Sequence, residues 1–383
     1  MRWFIVNADY HPFLADLYAT QPDLADRPFA QQMRARMATL FGVADFYSRN
    51  LRRLGHAAFD ATINNRYAQS AWARQHGLND DLDALPVETG VRQAHRATTP
   101  YRFLPPTART TPEQREPWYD ILRAQIDDFR PDVLLVQCPE WLSPEFLRDL
   151  RARVRAVIAQ HPATSIDGIE WDEYDLVCSS FRPTVAALAA RGIPCAHHRL
   201  GFEPAILDRL RRAEPAEVVF IGSFFDVHAS RVRWLESVCE RCPQVAVYSD
   251  DVSRLAPDSP IRRAWRGSAR GRRMFEVLAG AQLALNHHGD VGPGANNLRL
   301  FEATGVGAAL LTDDKPDLAD LFEPDLECLR YRDADECVHW IERCRLDADF
   351  RAAIARAGQR RTLTTHTWLH RMRELDEIIR TRL

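Results

Sequence analysis

The stretch GDVGPGANNLRLFEATGVGAALLTDD runs from Gly289 to Asp314 and follows the apolar run Leu283-Ala284-Leu285 after Asn286-His287-His288. It leaves a strand, passes Gly-x-x-Gly-Pro-Gly and two asparagines, makes a short helix and returns to a strand at Ala308–Thr312. A strand, a helix and a second strand in that order make the two strands parallel. Gly289, Gly292 and Gly294 allow the backbone to approach a ligand closely and to adopt positive φ. Asn296 or Asn297 suits the N-cap, and a helix start with free N–H groups is a ready site for phosphate. Arg299 falls in the first turn, and Glu302, one turn in, is placed to accept hydrogen bonds from a ribose diol. A glycine-rich turn with capped asparagines and a solvated Arg299–Glu302 pair explains the spacing equally well, because such loops recur without ligands.

Outward from this stretch the same alternation continues. Val218–Ile221, Val245–Tyr248 and Gln282–Asn286 read as strands, with helices at Ala229–Cys239, one ending over Met274–Ala281, and one at Leu298–Ala303. Leu318–Phe322, Glu336–Arg345, Asp349–Gln359 and an amphipathic Trp368–Leu383 follow as helices. The front half carries strands at Arg2–Val6, Ala57–Ile63, Val133–Val136, Arg155–Ala159, Leu176–Cys178 and Ala196–Leu200. Between the first two, a stripe from Met33 to Leu54 spaced by threes and fours reads as one long helix stopped by Gly55. Further helices are expected around Trp118–Phe129 and Pro183–Arg191, with a Pro/Thr/Arg-rich connection near 97–112. The expected fold class is therefore α/β, with two Rossmann-like parallel-sheet domains facing across a cleft.

Composition bounds the function. The 383 residues suit two domains, and a net charge of −3 argues against nucleic acid as the main partner. No apolar run approaches the roughly 20 residues of a spanning helix, and the amino terminus reads as a strand, so a cytoplasmic protein is expected. The eight cysteines read as buried thiols without metal. Of 50 basic residues only Lys315 is lysine, so an arginine here is weak evidence of function.

Ligands of open α/β sheets bind beyond the carboxyl ends of the strands, where the winding reverses. The loops there hold Asp9, Tyr10 and His11, then Cys138, Pro139 and Glu140, and in the second half Gly222-Ser223, His287-His288-Gly289-Asp290 and Asp313-Asp314-Lys315. Polar groups at strand ends are common in α/β proteins, and each loop alone is better explained by capping of the next helix than by function.

The segment Met274–Thr312 (MFEVLAGAQLALNHHGDVGPGANNLRLFEATGVGAALLT) and its continuation DDKPDLADLFEP resemble the spore-maturation-protein (CgeB-like) glycosyltransferases, which are of GT-B type. The likeness is specific over about 50 residues and weaker through the tail. It implies an acceptor-side domain over 1–203, a nucleotide-sugar donor domain over 204–364, and a helix over 365–383 that crosses back. By this likeness Glu302 contacts the nucleotide ribose, while Asn296, Asn297 and Arg299 lie near the diphosphate. Gly222 and Ser223 follow the first strand of the donor domain. His287 stands where relatives often carry a basic residue, and Asp290 completes the donor set. No metal or other cofactor is expected, since a helix terminus and cationic side chains offset the leaving charge. If the reaction inverts the anomeric centre, Asp9, His11 and Glu140 are the candidate bases.

The implied reaction moves a sugar from a nucleotide sugar, UDP- or GDP-linked, to a hydroxyl of a glycan, protein or small molecule. A sugar-nucleotide epimerase of the same shape and a non-catalytic nucleotide-sugar-binding protein are the alternatives. A pyridoxal-phosphate phosphorylase is disfavoured, as Lys315 lies in a short polar loop. The Asp-x-Asp sequences at 81–83, 333–335 and 347–349 lack the apolar strand that a metal-dependent GT-A transferase would place before them.

Overall fold

The computed structural model describes residues 1–80, 82, 111–161, 165–211, 215–224, 229–290 and 292–382. The connection near 97–112 falls, up to residue 110, outside the described residues, as do Asp81 and Asp83. The chain divides into two compact units. Unit one is Met1–Thr39, Val43–His198 and Asp376–Leu383; unit two is Leu40–Gly42 and Arg199–Leu375.

Unit one is built on a parallel sheet of β1 (Arg2–Asn7), β2 (Ala57–Thr62), β3 (Val133–Val136), β4 (Ala156–Gln160), β5 (Leu176–Ser179) and β6 (Cys195–His197), in the order β2-β1-β3-β4-β5-β6. The period of two sorts its core: Phe4, Val6, Leu134, Val136, Val157 and Ala159 join one apolar cluster, and the residues between them point to the other face. All four residues of β3 are buried, as a strand covered on both faces requires. The helices are α1 (His11–Thr20), α2 (Phe29–Ala38), α3 (Phe46–Arg53), α4 (Arg66–Gln75), α5 (Pro112–Phe129), α6 (Pro144–Leu150) and α7 (Arg182–Ala190). Thr111 starts α5 with a capping box: Gln114 N–H donates to the Thr111 hydroxyl and Thr111 N–H to the Gln114 side chain.

The stripe from Met33 to Leu54 is two helices, not one. Between α2 and α3 the chain takes positive φ at Leu40 (59°), Gly42 (61°) and Ala44 (39°), which no right-handed helix accommodates. Neither α1 nor α4 was expected from periodicity; Asn65 caps α4 by accepting from Ala68 N–H at 3.2 Å.

Unit two repeats the plan. Its parallel strands are β7 (Ala216–Ile221), β8 (Val245–Tyr248), β9 (Ala281–Asn286), β10 (Ala309–Asp313) and β11 (Leu329–Tyr331), in the order β11-β10-β9-β7-β8. The helices are α8 (Ala229–Arg241), α9 (Pro260–Ala264), α10 (Gly271–Gly280), α11 (Arg299–Gly305), α12 (Ala334–Leu346), α13 (Ala348–Thr365) and α14 (Trp368–Arg380), whose residues from Asp376 on belong to unit one. Asp333 and Asp347 cap α12 and α13 by accepting from Glu336 and Phe350 N–H, each at 2.9 Å. A 3-10 turn, Leu318–Asp320, stands where a helix was expected, and β11 adds an edge strand. Among the described residues no helix is long and apolar enough to cross a membrane.

Both sheets wind alike. In unit one the chain goes from β1 out to β2, then crosses to β3 on the other flank of β1; in unit two it goes from β7 to β8, then crosses to β9. The reversals fall between β1 and β3 and between β7 and β9, and those strand ends are the expected ligand edges.

Candidate functional site

In unit one the loop after β1 carries Asp9 and the loop after β3 carries Cys138 and Glu140, so the winding brings these residues to the reversal point. Asp9 is not available as a base. Arg36 of α2 donates from Nε to Oδ2 at 2.9 Å and from Nη2 to Oδ1 at 2.5 Å, and both side chains are buried. A carboxylate forked by a guanidinium has both oxygens committed. Its backbone is committed too, with Asp9 N–H donating to Asn64 Oδ1 and Asn64 Nδ2 to Asp9 O. His11 is the first residue of α1 and exposed. Glu140 sits in a 3-10 turn, Pro139–Trp141, where burial pushes its carboxyl up to about 7. Burial, with the charges of Glu140 and Asp9, also holds the Cys138 thiol well above its ordinary range. Glu140 thus combines this position with a proton affinity near neutrality.

In unit two a buried guanidinium spans the reversal point. Arg231, in the first turns of α8, donates from Nη1 to the Ser223 carbonyl at 3.1 Å and from Nη2 and Nε to the His287 carbonyl at 2.7 and 3.1 Å. It thereby ties the loop after β7 to the loop after β9. Burial pulls Arg231 down to about 10, so it keeps its charge at neutral pH, and it forms no ion pair among the described residues. Gly222 has a packing reason: a Cβ there would lie 2.9 Å from the Phe220 ring.

His287 supplies no positive charge. Its ring stacks on Trp234 at 4.8 Å, and Tyr331 stacks on the same indole at 5.0 Å. Burial, opposed by the charge of Asp313, pulls its imidazole down to about 4. Tyr331 O–H donates to the Asn286 carbonyl at 2.7 Å, so the 2.9 Å contact with His287 Nδ1 places the imidazole hydrogen on Nδ1. The cation at this loop edge is Arg231 rather than His287.

The described residues of the Gly289–Asn297 loop are braced by residues outside it. Asp290 accepts from Ser230 N–H at 3.0 Å and from the Ser230 hydroxyl. Ala295 N–H donates to Asp317 Oδ1 at 2.6 Å, and a Cβ on Gly294 would meet that carboxylate at 3.0 Å. Of its three glycines only Gly292 has positive φ, at 159°. Asn297 donates to Asn286 Oδ1 at 2.8 Å and accepts from Leu300 N–H at 3.4 Å, so it fills an N-cap role just ahead of α11. Asn296 lies beside it, half-buried. With the Ala295 and Leu300 amides already bonded to side chains, the loop offers fewer free N–H groups than its glycines suggest. The Arg299–Glu302 pair is not solvated: Nη1 meets Oε2 at 2.6 Å with side chains 14% and 11% exposed, and burial raises the Glu302 carboxyl despite Arg299.

Four groups at this edge were not among the expected site residues: His288, Asp313, Lys315 and Arg231. His288 is buried, with its backbone N–H and Nδ1 on Asp313 Oδ1 at 3.0 and 2.7 Å; Lys315 Nζ lies 3.1 Å from Asp313 Oδ2. Burial would raise the Asp313 carboxyl, but the hydrogen bond from His288 and the neighbouring charge of Lys315 oppose it, and the carboxyl is held well below its ordinary value. The signal was present: His288 and Asp313 end neighbouring strands, β9 and β10, and so share one sheet edge. Arg231 gave none, being one arginine among many.

Residues 205–377 match the family model described as glycosyl transferase-like. No curated protein matches the chain in sequence. Solved structures resemble it end to end. Sucrose-phosphate synthase (tll1590) from Thermosynechococcus elongatus is 12% identical, with 100% of this chain and 98% of that one covered and a TM-score of 0.54. AviGT4, a glycosyltransferase involved in avilamycin A biosynthesis, is 15% identical, with 98% and 96% covered and a TM-score of 0.55. Anabaena Alr3699/HepE in complex with UDP-glucose is 12% identical, with 100% of both chains covered and a TM-score of 0.55. Residues 205–377 thus match a glycosyl transferase-like model within a chain that has the GT-B fold of two parallel α/β sheets.

Proposed function

We propose that the chain is a metal-independent transferase of the spore-maturation (CgeB-like) kind, in which unit two holds the nucleotide-sugar donor and unit one acts on the acceptor hydroxyl. The observation that carries this reading is Arg231, a buried cation without a carboxylate partner among the described residues, lodged at the sheet reversal inside the glycosyl transferase-like stretch. A nucleoside diphosphate gains negative charge as its bond to the sugar breaks, and a fixed buried cation stabilises charge where it develops. Arg231 serves the diphosphate in this reading, with Gly222 and Ser223 lining the approach and the Asn296–Asn297 turn closing it.

Glu302 receives the ribose hydroxyls, with Arg299 holding its carboxylate in place. Glu140 takes the acceptor proton in an inverting reaction; His11 remains a second candidate at the same loop edge. A UDP-linked donor is the first to test, because HepE was solved with UDP-glucose. The cysteines are free, seven buried and Cys195 half-buried, which suits the reducing cytoplasm. A thermal-shift series with UDP-, GDP-, dTDP- and CMP-sugars tests the reading: one nucleotide class raises the melting temperature, and no response to any of them contradicts it.

A further inference from the structure

A chain of hydrogen bonds runs along the carboxyl edge of sheet two. Asn297 Nδ2 donates to Asn286 Oδ1, Asn286 Nδ2 to Thr312 Oγ1 at 2.9 Å, and Thr312 Oγ1 to Asp313 Oδ1 at 3.3 Å. Asp313 then binds His288 through Oδ1 and Lys315 through Oδ2. One buried atom in this chain is unsatisfied: His288 Nε2, on a residue 4% exposed, has no hydrogen-bond partner among the described residues. An unpaired buried polar atom is costly, and a ligand that pairs it recovers that cost on binding.

The chemistry of the missing partner follows from the bonds already made. Asp313 accepts from Nδ1, so in the neutral ring Nε2 carries a lone pair and only accepts. Lys315 balances the Asp313 charge at 3.1 Å, so the carboxylate already has its counter-cation. A phosphate oxygen offers another lone pair; a sugar hydroxyl offers an O–H. The position fits as well, since His288 follows β9, one of the two strands at the reversal point, where Arg231 holds the neighbouring carbonyl.

We propose that His288 Nε2 accepts a hydrogen bond from a hydroxyl of the sugar carried by the donor, with Asp313 fixing the tautomer and Lys315 fixing Asp313. This rests on the donor reading above and deepens it, by assigning the recognition of the sugar separately from that of the nucleotide.

Calorimetric titration tests it with UDP-glucose, UDP-N-acetylglucosamine, GDP-mannose and dTDP-glucose, each beside its free nucleoside diphosphate. His288→Asn places an amide where Nδ1 was, keeps the bond to Asp313 and deletes Nε2. It should weaken the preferred nucleotide sugar about tenfold and leave the free nucleotide within about twofold. His288→Gln, whose amide reaches the place of Nε2, should recover part of the loss. Equal weakening of both ligands by His288→Asn means that the atom meets the nucleotide, and no weakening of either means that it serves packing or an internal water; each overturns the proposal. So does a wild-type chain that binds every nucleotide sugar no tighter than its nucleotide. A wild-type chain that binds no ligand of either kind brings down the donor reading itself. Nitrogen NMR of the wild-type histidines needs no variant: the His288 Nε2 resonance should move with the nucleotide sugar and stay with the nucleotide, and a stationary resonance with both overturns the assignment.

Discussion

Arg36 grips Asp9 through both carboxylate oxygens, at 2.9 and 2.5 Å, in an ion pair whose side chains are each 3% exposed. The pair is part of the scaffold of unit one. Removing one partner strands a buried charge, so Asp9→Asn should cost about 3–5 kcal/mol of stability. Urea unfolding measures the loss. Turnover per folded molecule should stay within about tenfold of wild type, whereas a fall of roughly a hundredfold or more in folded protein would restore Asp9 as a base.

Glu140 makes the opposite prediction. Its carboxyl, pushed up to about 7 by burial, must be ionised to act as a base, so turnover should climb as pH rises through about 7 and then level. Glu140→Gln should lower kcat by about 10²–10⁴ and leave donor binding intact. Linkage gives a second readout. The folded state holds this proton more tightly than the unfolded one, so the contribution of Glu140 to stability is full below its ordinary value of 4.5 and is lost as pH rises through about 7. At pH 8, therefore, Glu140→Gln should be at least as stable as wild type. A flat pH–rate profile with full activity in the glutamine variant would remove Glu140 from the mechanism.

Gly305 is a packing requirement within unit two. A Cβ there would collide with Cγ of Phe202, which is itself 1% exposed. Overpacking of this kind costs about 1–3 kcal/mol. Gly305→Ala should lower the urea midpoint, and Gly305→Ala combined with Phe202→Leu should regain part of it. An unchanged midpoint in the single variant would mean that the ring moves aside freely.

Much of this architecture was legible because it rests on short-range patterns. The buried run Val133–Val136 and the βαβ order around Gly289–Asp314 carry their period in the residues themselves, and both proved to be parallel strands. The split between α2 and α3 was harder to see, because the apolar stripe continues across Gly42 in the helical period while the backbone turns left-handed there. At the site, position was readable and pairing was not. Glu302 and Arg299 are a turn apart on one helix, so their contact follows from spacing. Asp9 and Arg36, 27 residues apart, and His288 and Asp313, 25 apart, meet only through the winding of the sheets.

Arg231 should matter for charge more than for shape. Arg231→Gln deletes the buried cation at the β7–β9 reversal and should weaken nucleoside diphosphate binding about tenfold to a hundredfold, with a smaller salt dependence. Arg231→Lys, which keeps the charge and loses the fork, should fall between the two. Equal affinity in all three proteins would place the diphosphate elsewhere.

The central claim is that unit two binds a nucleotide sugar through its own loops and that the chain then breaks the bond to the sugar. Release of free nucleoside diphosphate from a panel of UDP-, GDP-, dTDP- and CMP-sugars tests it most directly, with wild type and Glu302→Ala assayed side by side. The account predicts slow release from one nucleotide class by wild type, accelerated when a suitable hydroxyl acceptor is present, and donor affinity about tenfold weaker in Glu302→Ala. Tight binding with no release under any acceptor, or release at equal donor affinity in both proteins, would contradict it.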